Sequence, residues 1–420
     1  MNQQVKRLIE DTKNKWNLST YTLESHSFFQ EKMDSNELGF VLSMTWKLNG
    51  SIENADELST INIDLNVDNG NVRRILFTNY NNNLEETLFP DMDDIEDIIE
   101  WIETQSTLEF GRQFTLVDQS ETELLFQASV DNISVFPSGS IQIKFNEDGK
   151  LVHFSVDGVF PDESQLDWEP FALTSDITKP IAEDQIQLIE IPSEDKEAWI
   201  PIFVVSSVFI TNDGKKTISY NEVERPKSYI NKDTVLRWTE PKEGTLQPVN
   251  LEPKLEYSEA EVFSQVDVMN NDLPISTEDQ LSLTEGIIEF LQQNYPQDSG
   301  KWRLTGVWRD AGYIFGQVLP VEKDSKVIEH KINVVFDSQT LDVLNYVDTE
   351  SLLNMYDFLS PAETPTLTEE QAAEKLVPNV DISPVYVYDK STSRYCLCGK
   401  LDSNFGVHAV TGELVSLDEL

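Results

Sequence analysis

Five times in this chain an alternating run of apolar and polar residues meets a short polar turn and then resumes. The copies are "INIDLNVDNGNVRRILF" at 61–77, "SIQIKFNEDGKLVHFSVDG" at 140–158, "VFITNDGKKTISY" at 208–220, "KINVVFDSQTLDVLNY" at 331–346 and "VHAVTGELVSL" at 407–417. A period of two puts one set of side chains on each face of a strand, so each copy predicts an antiparallel hairpin with one buried face. Four of the five turns hold a glycine (Gly70, Gly149, Gly214 and Gly412), at the position where a positive backbone φ is least costly without a side chain. Repetition of this kind constrains the chain to short antiparallel sheets, since a strand pair cannot bury its apolar face alone.

The acidic tips invite a second reading, as cation loops. Asp64-x-Asn66-x-Asp68 resembles the start of a calcium loop, but its glycine falls at 70 and its twelfth position is Ile75 rather than glutamate. The turns are therefore expected to be structural, with no metal and no cofactor.

Helical patterns fall between the hairpins. In "MNQQVKRLIEDTKNKWNLST", Val5, Leu8, Ile9 and Trp16 recur near a helical period. "PDMDDIEDIIEWIE" sets Met92, Ile95, Ile98, Ile99 and Ile102 on one face. Capping boxes are expected at Thr277 with Gln280 and at Thr368 with Gln371, with "AEDQIQL" at Ala182 as a degenerate third start. The fold class that follows is α+β: tandem repeats of a helix packed on a short antiparallel sheet. Pro226, Pro241, Pro248 and Pro253 interrupt a polar stretch, which divides the chain into an N-terminal region at 1–225 with about three helix-plus-hairpin units, a connector at 226–274 and a C-terminal region at 275–420 with two units.

Charge narrows the partners. Against 31 Lys plus Arg stand 75 Asp plus Glu, a net charge of −44 that repels phosphate backbones and anionic membrane surfaces. Neither nucleic acid nor membrane is expected, whereas a basic protein or peptide is admitted. No run of about 18 apolar residues is present, and the first twenty residues lack a signal-peptide core, so the expected location is cytoplasmic. The two cysteines, Cys396 and Cys398, point to one face of a strand and supply only half of a structural zinc site. They are expected to pack.

The capped helix followed by strands that end in "FGVHAVTGELVSL" resembles the PepSY-like fold of peptidase propeptides. "PSGSIQIKFNEDGKLVHFSVDG" and "SSVFITNDGKKTISY" are similar to the tandem-repeat proteins of the YcdB/YcdC type from spore-forming bacteria. That resemblance implies an α+β scaffold and, from the propeptide members, inhibition of a peptidase. It implies no catalytic residue.

Motifs for hydrolysis, phosphate binding or dinucleotide binding are absent from the sequence, and His26, His153, His330 and His408 fall singly in strand-like contexts. The leading expectation is a non-catalytic binding or regulatory protein whose sheets offer a groove or an edge to a peptide. "KWRLTGVW" places Trp302, Leu304, Gly306 and Trp308 on one strand face, which is read first as core and otherwise, if exposed, as the candidate partner surface. Two alternatives stand beside it: a hydrolase using paired carboxylates, and an acidic decoy for a basic protein surface.

Overall fold

The computed structural model describes residues 2–33, 38–49, 59–78, 88–251, 256–263 and 273–419. The architecture is mixed α+β, dominated by antiparallel sheet with few helices. All five hairpins form as paired strands. Gly70, Gly149, Gly214 and Gly412 sit at φ 75°, 74°, 71° and 74°, the left-handed region that the turns demand. In the first turn Asn66 Oδ1 accepts the backbone N–H groups of Asp68 and Asn69.

The chain falls into two compact units, Met1–Glu169 with Leu255–Val266 and Pro384–Leu397, and Pro170–Lys254 with Asp267–Ser383 and Cys398–Leu420. The boundaries expected at 225 and 275 are therefore not those of the compact units. The reason lies in the supposed connector, which contributes the strand Ile230–Leu236, paired with Trp302–Asp310, to the second unit, and the short helix Glu259–Val262 to the first. Prolines flank that strand without interrupting it.

In the first unit, strands Tyr21–Lys32, Leu38–Leu48, Thr60–Asn66, Val72–Thr78, Leu151–Asp157, Ser140–Phe145 and Glu123–Val130 are hydrogen-bonded in that order. Met44, Trp46, Ile61, Ile63, Ile75, Phe126, Ile143 and Phe154 are buried. Trp16, closing the helix Gln3–Lys15, stacks on Phe89 and touches Trp101, and Trp101 meets Phe154 edge-on at 4.9 Å. The second helix runs Ile95–Ser106, capped by Asp94. Met92 thus precedes it, and Ile95, at 37% exposure, faces outward while Ile98 and Ile102 are buried.

The second unit carries a five-stranded antiparallel sheet in the order Ile230–Leu236, Trp302–Asp310, Tyr313–Pro320, Ile332–Asp337, Val343–Asp348. The helix Thr277–Asn294 covers one face: Leu283, Ile287, Phe290 and Leu291 share a core with Leu304, Val307, Ile314, Val318, Val334 and Phe336. Each such side chain contributes about 1.5–3 kcal/mol by leaving water. The helix approaches closely because Gly316 lacks a side chain, whose Cβ would stand 2.6 Å from Ile287 Cδ1. Its N-cap is Ser276 with Asp279, one residue before the expected Thr277, and Gln280 donates to the Ile275 carbonyl instead. Thr368 and Gln371 form their capping box as expected. At Ala182 no helix starts; the helix Ser175–Asp184 ends there and the strand Ile186–Ser193 follows.

Elsewhere in this unit, Ile186–Ser193, Ala198–Val205, Phe405–His408 and Leu414–Ser416 make a second sheet. A core of Ala182, Phe203, Val205, Ala372, Leu376 and Val407 joins it to the helices Ser175–Asp184 and Glu369–Leu376. Among the described residues no helix is long and apolar enough to cross a membrane.

Candidate functional site

The strand Trp302–Asp310 does not keep its expected aromatic face. Trp302 and Leu304, at 4% and 1% exposure, lie in the core beneath the helix. The register against the next strand then slips: Leu304 pairs with Val318 but Gly306 pairs with Gln317. One extra residue reverses the alternation. Val307 therefore joins the core, and Trp308 comes out half-buried on the opposite face.

On that outer face a stack has formed. Tyr229 lies 5.7 Å from Trp308 at 26°, Trp308 lies 5.5 Å from Phe315 at 12°, and the Arg225 guanidinium sits 4.3 Å over Tyr229. Gly306 makes room for it, because a Cβ there would come within 2.1 Å of the Tyr229 hydroxyl, which donates to the Thr305 carbonyl. Beside the stack runs a polar ladder: Thr305 Oγ1 donates to Gln317 Oε1 at 3.1 Å, and Gln317 Nε2 donates to Asn333 Oδ1 at 3.3 Å. Flat apolar rings next to fixed amides suit the backbone and side chains of an extended polypeptide.

The edges of this sheet are defended. Ile230–Leu236 is bulged between Asn231 and Thr234 and carries Asp233, which pairs with Arg303 at 2.6 Å. At the other edge Val249 N–H donates to the Leu344 carbonyl, and Asn345 Nδ2 to the Val249 carbonyl. Bulges, charges and covering segments are the usual means of blocking strand addition, so the outer face is the better candidate than the edge.

His330 is not solitary. The hairpin register pairs Ile332 with Asp348, which carries the pattern outward to bring His330 level with Glu350. His330 Nε2 lies 3.0 Å from Asp348 Oδ1, the Glu350 N–H donates to the same oxygen at 2.8 Å, and the Tyr295 hydroxyl donates to Oδ2. One donor atom each from His330, Asp348 and Glu350 all lie within 4.8 Å of one another. Trp302 packs edge-on against the His330 ring at 5.1 Å and against Tyr295 at 5.5 Å. Burial first, then the neighbouring Asp348 carboxylate, holds the Tyr295 hydroxyl far above its ordinary value, so it stays a donor. Counting outward from the turn at 338–341 was the signal available for this cluster.

In the first unit the register shifts between Asp64 and Leu65, which pair with Arg74 and Val72 on either side of Arg73. Arg73, 4% exposed, binds Glu31 at 2.5 Å, while Arg74 reaches Asp64 at 3.6 Å and Asp157 at 3.3 Å. Burial outweighs the arginines and raises both Glu31 and Asp64 above the usual carboxyl range. A raised carboxyl is what a general acid needs, yet paired arginines also characterise a charge-compensated network.

Cys398 is buried and Cys396 half-buried on the strand Arg394–Asp402, with the Cys396 thiol pushed up by burial. His26 lies 3.8 Å from Glu259, and His408 Nδ1 accepts the N–H groups of Val410 and Thr411.

No family model matches this chain, and no curated protein matches it. Among solved structures, the YpeB C-terminal domain of Bacillus megaterium is similar over 49% of this chain and 86% of that chain, at 11% identity and a TM-score of 0.25.

Proposed function

We propose that this chain is a non-catalytic, acidic binding or regulatory protein of PepSY-like helix-on-sheet units, which holds a segment of a protein or peptide partner on the outer face of its five-stranded sheet. The observation that carries the reading is the stack of Tyr229, Trp308 and Phe315 beside the Thr305–Gln317–Asn333 ladder, on a sheet whose other face is filled by a helix. Rigid aromatic platforms with adjacent amides are typical anchors of polypeptide recognition. The net charge of −44 selects a cationic partner by raising its encounter rate at low salt. The sequence resemblance to peptidase propeptides adds a peptidase as one partner class.

The test is binding of the full chain to an array of basic peptides, read with Trp308→Ala and Gln317→Ala. Each substitution should weaken the selected peptides about tenfold or more, as loss of an interface anchor does. Trp168→Ala, at the most exposed tryptophan (79%) and on the other unit, should leave them unchanged. Equal losses at Trp168 and Trp308, or none at Trp308, would remove the outer face from consideration.

A further inference from the structure

We infer that His330, Asp348 and Glu350 form a binding site for a divalent transition-metal ion of the zinc class. The three donor atoms lie within 4.8 Å of one another, and two of them, His330 Nε2 and Asp348 Oδ1, are 3.0 Å apart. Ligands at about 2.0–2.1 Å from a tetrahedral zinc are separated by roughly 3.4 Å, so small side-chain rotations admit the ion where the His–Asp hydrogen bond now lies. Mixed imidazole and carboxylate donors favour zinc, nickel or copper over calcium and magnesium, which take oxygen alone.

The surroundings are those of a built site rather than a chance meeting of acids. The Tyr295 hydroxyl holds Asp348 Oδ2 and the Glu350 N–H holds Oδ1, so the carboxylate plane is fixed from both sides. Trp302, buried in the core, sets the plane of the His330 ring. Such orienting partners are what tune a metal ligand's affinity. Access remains, because Glu350 is exposed and the His330 and Asp348 side chains keep 22% and 14% of their surface. Three protein ligands leave at least one coordination position for water or for a donor from a bound partner.

The experiment is calorimetric titration of chelator-treated full-length protein with zinc chloride, and separately with magnesium and calcium chloride, at an ionic strength that screens the acidic surface. One zinc per chain should bind tightly enough to survive excess magnesium. His330→Ala and Glu350→Gln should each weaken it at least tenfold, and Tyr295→Phe about tenfold through the loosened Asp348. Because Glu350 is exposed, its variant keeps the fold even if His330→Ala does not, and circular dichroism checks each. Absence of stoichiometric zinc binding, or binding that Glu350→Gln and His330→Ala leave unchanged, overturns the assignment.

Discussion

Leu341 holds, at φ 61°, the place in its hairpin that Gly412 holds at φ 74° in the last one. Each donates its N–H to the carbonyl four residues earlier, Asp337 and His408 respectively. The leucine tolerates a left-handed backbone because its side chain packs against the core under the helix Thr277–Asn294. Left-handed φ costs a side-chain-bearing residue about 1–2 kcal/mol. Leu341→Gly should therefore be more stable than Leu341→Ala by about 1 kcal/mol, the reverse of the order within a strand or helix. Chemical denaturation of both variants decides it; an alanine variant equal to or above the glycine one contradicts the account.

His408 does with a ring nitrogen what Asp337 does with a carboxylate. Asp337 Oδ1 accepts the N–H groups of Gln339 and Thr340, and His408 Nδ1 accepts those of Val410 and Thr411. The hydrogen bonds to Asp337 hold its carboxyl below the usual range. Replacing His408 by Asn, which offers an oxygen at similar reach, should be nearly neutral. His408→Leu should cost about 1 kcal/mol, the worth of the lost turn hydrogen bonds. Equal melting temperatures for the Asn and Leu variants would show that the ring serves only as bulk.

The hairpins were legible because a period of two and a glycine at the turn are local properties, written wherever they act. Even the missing glycine at Leu341 left its strands readable. The aromatic face was not legible, since one residue of slippage after Leu304 moved Trp308 to the opposite side, and a bulge has no reliable signature in one strand alone. The capping box at Thr277 was displaced by one because Ser276 and Asp279 satisfy the same spacing. His330 is isolated along the sequence, but its neighbours Asp348 and Glu350 are set by the register of a hairpin already evident in the residues. The division into units was beyond reach, as it depends on Pro384–Leu397 packing with the first unit, a long-range event.

Arg73 and Glu31 form a desolvated pair, with side chains 5% and 20% exposed. Removing the arginine leaves a carboxylate that burial already disfavours. Arg73→Met should destabilise the protein by about 3–5 kcal/mol, and adding Glu31→Leu should restore more than half of that, because an apolar pair carries no desolvation cost. A double-mutant cycle in denaturant measures it. If the double variant is as unstable as Arg73→Met alone, the arginine is needed for packing of its stem and not for the charge of Glu31.

His153 gives the first unit a sensitivity to mild acid. Burial, then the Arg74 and Lys144 charges, holds its imidazole below the ordinary 6.5. The folded state therefore resists protonation, whereas the unfolded chain takes up a proton near 6.5. Stability from this group is complete above that pH, and it falls as acidification carries the protein from 6.5 toward the lowered folded value. Glu31 and Asp64 act in the opposite sense: their raised values make the folded state the better proton acceptor, so they favour folding as the pH drops through their range. The two trends overlap in the wild type, and subtraction separates them. His153→Gln keeps a polar side chain beside Lys144 and removes only the titration. Between pH 7 and pH 5 the wild type should lose stability relative to this variant, with the gap opening below about 6.5 in the range set by the reference histidine. Unfolding curves for the two proteins at matched ionic strength measure the gap, and parallel profiles across that range would mean that His153 meets the same environment folded and unfolded.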